Sequence, residues 1–334
     1  MEYDLEKIKE QFPVLNRKIW DKPLIYLDSA ASMQKPQKVL DAINNNYSFN
    51  YSNVHRGLHK LSEEATSNYE GARLKISKFI NCSEKEIVFT SGATAAINLV
   101  AYSWGLKNIS AGDEIIITIA EHHANIVPWQ LIAQQKGAKI IAAQVNPEED
   151  FDAEIIKKLV TDKTKIIAFP HVSNVLGTVF PVKEICKIAK ECGAISVVDG
   201  CQGIIHGTVD VKKLGCDFYC FSGHKLYGPT GIGVLYGKYE ILDEMPPFLG
   251  GGDMIDIVKI NQSTYADPPL RFEAGTPPIV EAIALGEAID WVVETGIDRI
   301  GKHEKNVISY GMSILTSIEG VNIFGTAPNK TGVI

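Results

Sequence analysis

The stretch CDFYCFSGHKLYGPTGIGVLY, residues 216–236, holds a single lysine, Lys225, inside a tight run of serine, glycine, histidine and proline. Apolar FYCF precedes that run and GVLY follows it. Glycine and proline limit such a turn to a few backbone conformations, so the stem of the lysine is held rather than free. A solvated surface lysine needs no such setting. The same pattern recurs upstream. EIVFTSG, DEIIITIAEHH, TKIIAFPHVSN and AISVVDGCQG each run apolar without alternation and then break into small or polar residues. Continuous apolar runs of this length predict strands covered on both faces. Between them, ATAAINLVAYSWGL, NIVPWQLIAQQKGA, EIIKKLVTD and VKEICKIAKECGA carry helical patterns, with Gly137 and Gly193 where a capping glycine belongs. This alternation predicts an α/β fold with a mostly parallel, doubly wound sheet.

The 334 residues are 45% hydrophobic and 22% charged, with a net charge of -7. That length suggests about two domains, and no basic stripe marks a nucleic-acid partner. Apolar runs fall well short of the roughly 20 residues a bilayer span requires. The start, MEYDLEKIKEQF, is acidic and amphipathic, unlike a cleavable signal. Cys82, Cys186, Cys192, Cys201, Cys216 and Cys220 form no CxxC pair and no zinc spacing, so no metal site and a reducing, cytoplasmic setting are expected. Beyond residue 244 the composition changes. EMPPFLGGGDM and YADPPLRFEAGTPP read as loops across 245–278, followed by helices in PIVEAIALGEAIDWVVETG and IGKHEKNVISYGMSILTSI. VNIFG reads as a strand and TGVI as the start of another, which leads to the expectation that a C-terminal portion is missing.

In an open parallel sheet, ligands sit beyond the carboxyl ends of the strands. Ser91-Gly92-Ala93-Thr94 follows IVFT and opens a helix, a setting that suits a phosphate and equally an ordinary capped turn. Glu121-His122-His123 follows IIITIA; adjacent histidines on a strand would face opposite ways, against a shared metal. His171-Val172-Ser173-Asn174, Asp199-Gly200-Cys201-Gln202 and Ser222-Gly223-His224-Lys225 end the other three strands. Asp199 either caps the next helix or faces a positive group on a ligand. Together the set offers a phosphate seat, an aromatic histidine, an acid and a lysine. Pyridoxal phosphate uses all four, through its phosphate, its flat ring, its protonated ring nitrogen and its aldehyde. The nucleotide signatures GxGxxG and GxxxxGK[ST] and a Ser-His-Asp elbow are absent.

From FPVLNRKIWDKPLIYLDSAAS through NVHRGLHKLS, EHHANIVPW, HVSNVLGT, VDGCQ and CDFYCFSGHKLYGPTGIGVLY to RFEAGTP, the chain resembles the class V aminotransferases, specifically the SufS-type cysteine desulfurases and selenocysteine lyases. The resemblance implies the type I aminotransferase fold. Residues 1–20 would pack with the small domain, 21–275 would form the large cofactor domain, and 276–334 the smaller, here incomplete, C-terminal domain. It implies a Schiff base at Lys225, which also acts as general base, and an ion pair from Asp199 to the ring nitrogen. His122 would stack on the ring, Gln202 would meet the phenolic oxygen, and Asn174 would lie beside ring and substrate carboxylate. Ala93, Thr94, Ser222 and His224 would hold the phosphate. Thr276 would reach the phosphate of a partner subunit in a homodimer, and His55 and Arg56 would line the substrate entrance.

The activity implied is conversion of L-cysteine to L-alanine, with sulfur passed as a persulfide to a SufE- or SufU-like acceptor for iron–sulfur cluster assembly. Two alternatives accompany it: a selenocysteine lyase acting on L-selenocysteine, and a catalytically incomplete cofactor-binding fragment or subunit acting through dimerisation or partner binding. The family's nucleophilic cysteine and carboxylate-clamping arginine are not found in this chain. Cys201 is the cysteine weighed for sulfur relay; the other five read as core or bystander thiols. Where the family has Thr-Thr-Glu this chain has Ala93-Thr94-Ala95, and cofactor binding is expected to survive that change.

Overall fold

The computed structural model describes residues 4–146 and 150–334. Its central seven-stranded sheet consists of β1 (Ile87–Thr90), β2 (Glu114–Thr118), β3 (Lys139–Ala143), β4 (Thr164–Pro170), β5 (Ile195–Asp199), β6 (Phe218–Ser222) and β7 (Gly233–Gly237). The spatial order is β1-β7-β6-β5-β4-β2-β3. From β3 to β6 neighbours run parallel, while β7 lies antiparallel between β6 and β1. The sheet is therefore mixed and mostly parallel, and β1 shares the direction of the parallel block. Side chains alternate between two cores. Ile115 and Ile117 of β2 and Ile166 and Ala168 of β4 enter one, and Ile116, Ile167 and Phe169 enter the other. Burial on both faces is why these strands read as unbroken apolar runs.

Helices α1 (Gln37–Asn45), α2 (Lys60–Phe79), α3 (Ala93–Leu99), α4 (Val127–Lys136), α5 (Ala153–Leu159) and α6 (Val182–Cys192) precede β5, and α7 (Ile279–Thr295) and α8 (Ile297–Leu315) follow β7. Gly137 and Gly193 close α4 and α6 in the left-handed conformation, as their positions predict. Helix α7 is apolar nearly all round because it is enclosed, packing on α1 and α2. Among the described residues, no helix is long and apolar enough to cross a membrane.

Four sequence expectations need correction. KIIAA forms β3, which the sequence pattern did not reveal; as an edge strand it is only partly buried and carries a weak pattern. The 245–278 segment contains a hairpin, β8 (Ile255–Lys259) and β9 (Gln262–Tyr265), whose apolar residues face solvent. VNIFG and TGVI are not strands. The tail instead crosses the 173–179 loop as an extended strap, with Thr331 N–H donating to Gly177 O (2.9 Å) and Val179 N–H to Asn329 O (3.0 Å). Finally, His122 and His123 lie beyond the end of β2, in a turn, so strand geometry does not govern them.

A buried charge network joins α2 to β1 and to the 270–276 loop. The Arg73 guanidinium, 2% exposed, donates to Glu273 at 2.7 and 2.9 Å and to the Ile87 carbonyl at 2.8 Å. Glu273 also accepts from Phe89 N–H (2.7 Å) and Tyr69 O–H (3.0 Å). At its outer end Glu70 meets Arg73 Nε (2.8 Å) and His55 Nε2 (2.9 Å). Burial raises the Glu70 pKa, but the hydrogen bonds from His55 and Arg73 outweigh it and hold the group at about 2, against an ordinary 4.5. A depressed carboxylate stabilises the fold above its unfolded pKa and loses that contribution as pH falls through the folded value. The stability difference between wild type and Glu70→Gln is therefore expected to shrink between pH 4.5 and about 2, as read by denaturant midpoints. A difference constant across that window would contradict the assignment.

Candidate active site

Because β1, β2, β4, β5 and β6 point the same way, their carboxyl ends open on one edge of the sheet, where a cavity of ≈ 620 Å³ lies. The five polar clusters meet there. Between β1 and α3, Gly92 sits against the start of β7; a Cβ on Gly233 would fall 2.4 Å from Gly92 Cα, so only glycine lets the two chains touch. This closeness sets Ser222 beside the start of α3, where its Oγ accepts from Ala93 N–H (2.9 Å). Thr94 lines the same wall.

After β6 the chain turns through Gly223–Lys225. Backbone bonds lock the turn: Gly223 N–H to Ile232 O (2.9 Å), Leu226 N–H to Gly223 O (2.9 Å) and Gly228 N–H to Gly223 O (3.0 Å). The stem of Lys225 is thereby fixed, while its Nζ makes no hydrogen bond or ion pair among the described residues and faces the cavity. His224 is tied to the 26–33 segment, its carbonyl accepting from Met33 N–H (3.0 Å) and its Nδ1 lying 3.3 Å from Ser32 Oγ. Partial burial lowers the His224 pKa, and the charges of Lys225 and Lys35 lower it further, which favours a neutral ring.

Asp199, the last residue of β5, is 6% exposed. One carboxylate oxygen accepts from Cys201 N–H (2.9 Å), and the Cys201 thiol also meets the carboxylate. Asp199 holds the turn that follows β5 and lines the cavity, and it does not cap the next helix, whose N-cap position is Gln202. Gln202 spends its amide N–H on the Ala30 carbonyl (2.8 Å). His122 Nδ1 accepts from Ala124 N–H (3.1 Å), which places the proton of the neutral ring on Nε2. Asn174 completes the set of sequence-predicted residues on the cavity wall.

Three predicted residues lie elsewhere. Thr276 borders a second cavity of ≈ 410 Å³ with Thr90, Ser91 and Phe248. His55 is engaged with Glu70, and Arg56 pairs with Asp253. Sequence reasoning assigned no role to Asp28, Ser29, Ala30 and Ala31, which line the main cavity, as do Gly332, Val333 and Ile334. The small-residue run DSAAS was the available signal for the first group. Cys201 is the cysteine on the wall; burial and then the charge of Asp199 push its thiol far up. Among the described residues, no group of three or more His, Cys, Asp or Glu side chains is arranged to hold a metal ion.

Residues 25–334 match the model of the aminotransferase class-V family. The chain belongs to that family. Within it, the chain is 48% identical to the cysteine desulfurase of Salmonella typhimurium (strain LT2), over all of this chain and 82% of that protein. Two solved structures align closely. The crystal structure of the cysteine desulfurase CsdA (S-sulfonic acid) from Escherichia coli shares 38% identity with a TM-score of 0.88, covering 96% of this chain and 79% of that one. The apo structure of cysteine desulfurase from Thermococcus onnurineus NA1 shares 39% identity with a TM-score of 0.89, covering 93% and 76%. The residues of this class-V chain fit pyridoxal phosphate. A lysine amine with no partner among the described residues, a buried carboxylate, an imidazole and a hydroxyl-lined helix start share one cavity.

Proposed function

We propose that the chain is a pyridoxal-phosphate-dependent cysteine desulfurase, carried by one observation: a rigidly held lysine amine, without a partner among the described residues, shares a cavity with the buried carboxylate of Asp199. Lys225 would hold the cofactor, Asp199 its ring nitrogen, Gln202 its phenolic oxygen and His122 its ring face. Ala93, Thr94, Ser222 and His224 would hold its phosphate, and Asn174 would meet the substrate carboxylate. Bound there, pyridoxal phosphate supplies an aldehyde that takes an amine and a ring that accepts charge from the substrate α-carbon. Lys225 Nζ takes the α-proton of L-cysteine as general base. The C–S bond breaks toward an attacking thiol supplied by a second molecule, such as an added dithiol, so that cysteine and thiol become alanine and a persulfide. The type I aminotransferase fold goes with this reading, with 21–275 as the large domain and 276–334 plus 1–20 as the small one (residues 1–3 lie outside the described part).

Cys201 is not the attacking thiol in this scheme, because burial and Asp199 keep it protonated and the thiolate is the reactive form. Cys201→Ala is expected to leave alanine release unchanged; a loss on that substitution would return the role to Cys201. A homodimer belongs to the proposal as well. Thr276, His55 and Arg56 do not line their own chain's cavity, and Trp20, Leu27 and Leu58 present apolar side chains to solvent. A SufE- or SufU-like protein would take the sulfur for iron–sulfur cluster assembly. The test is the mass of the Lys225 peptide after borohydride reduction of cofactor-saturated protein. A cofactor adduct on that peptide supports the reading, and an unmodified amine removes it.

A further inference from the structure

Glu121 directly precedes His122 in the turn beyond β2, and it is 6% exposed. No lysine, arginine or histidine pairs with it among the described residues. Its carboxyl is instead placed in neutral hydrogen bonds, with Thr118 Oγ1 at 3.1 Å and Asn125 Nδ2 at 2.9 Å. Trp129 Nε1–H donates to Asn125 Oδ1 (2.9 Å), which fixes the Asn125 amide so that its nitrogen faces Glu121. The chain from Trp129 to Thr118 spans both ends of the turn carrying His122, and Ser173 O–H adds a bond to the Ala120 carbonyl (3.0 Å). Such a buried polar network persists only where each member is satisfied, and it then rigidifies what it spans.

We propose that Glu121 is a positioning residue for the reaction, a buried strut that fixes the turn presenting His122 to the cavity. This rests on the function proposed above and deepens it, since His122 is the ring assigned to the cofactor face. The physics supports neutrality. Burial raises the Glu121 pKa well above the carboxylate range, and the charge of Asp199 adds to the rise where the hydrogen bonds oppose it. One carboxyl oxygen accepts from Asn125 and the other meets the Thr118 hydroxyl. A glutamine does the same with its carbonyl and amide. An alanine does neither.

The experiment compares wild type, Glu121→Ala, Glu121→Gln, His122→Ala and the double variant Glu121→Ala/His122→Ala, each loaded with pyridoxal phosphate. The readouts are the visible circular dichroism of the bound cofactor and separate kcat and KM values for cysteine. Glu121→Ala is expected to alter the cofactor band and lower kcat by about 100-fold, the scale of a displaced active-site group, with a smaller change in KM. Glu121→Gln restores the band and most of the rate. In the His122→Ala background the Glu121→Ala change costs nothing further. Equal losses in both backgrounds, or a glutamine variant as damaged as alanine, overturn the proposal. Should the alanine variant not fold, Trp129→Phe, which removes the donor orienting Asn125, takes its place in both backgrounds: a loss confined to the His122 background supports the strut, and equal losses overturn it. A wild-type protein whose Lys225 is unmodified after borohydride reduction defeats the proposed function instead, so the two failures are distinguishable.

Discussion

Lys225→Ala is expected to lower alanine formation from cysteine by about 10⁴-fold, since one substitution removes both the cofactor's anchoring amine and the general base. The fold should be unaffected. Nζ has no partner to lose among the described residues, and the turn is held by the backbone bonds of Gly223, Leu226 and Gly228 rather than by the side chain. Thermal unfolding of the variant should therefore match that of wild type without cofactor. Lys225→Arg sharpens the comparison: it keeps the charge but supplies no nucleophile at neutral pH. Turnover by either variant near the wild-type rate would remove the lysine from the mechanism.

The second large effect concerns stability. Arg73→Met should cost about 3–5 kcal/mol, because it strands a carboxylate inside the protein. Glu273, 4% exposed at its side chain, would keep Phe89 N–H and Tyr69 O–H but lose its counter-charge, and the Ile87 carbonyl would lose its donor. The guanidinium also stacks over the Phe89 ring, 4.6 Å from its centroid, a contact methionine replaces only in part. Glu273→Gln keeps an acceptor for Phe89 and should cost less, about 1–3 kcal/mol. Denaturant unfolding of the two variants decides the matter. An Arg73→Met protein within about 1 kcal/mol of wild type would show that water reaches the network.

The βα order and the five strand ends were legible because they rest on local chemistry. Continuous apolar runs, capping glycines at 137 and 193, and polar breaks after each run are properties of adjacent residues. Nine predicted residues consequently reach one cavity, since parallel strands deliver their carboxyl ends to the same edge. The tail misled for the same local reason. VNIFG and TGVI have the composition of strands, but the tail meets the 173–179 loop only through an isolated bridge at Lys330, and a strand needs a continuous ladder. The hairpin at 255–265 was hidden by its exposure, since without a buried face its alternation carries no signal.

By itself, the amino-acid sequence determined the βα alternation from β1 to β7 apart from β3, the two helices that follow it, the small-residue turns between these elements, and the residue types waiting at each strand end. Tertiary structure alone decided who meets whom. The bond from Gln202 to Ala30 crosses 172 residues and that from Arg73 to Glu273 crosses 200. Both depend on the sheet order and on β7 inserting antiparallel between β1 and β6, and no periodicity encodes either. The same holds for Thr276 and His55, which lie off the cavity of their own chain. Backbone preference and burial pattern act over a few residues, whereas a shared cavity is set by how whole layers pack.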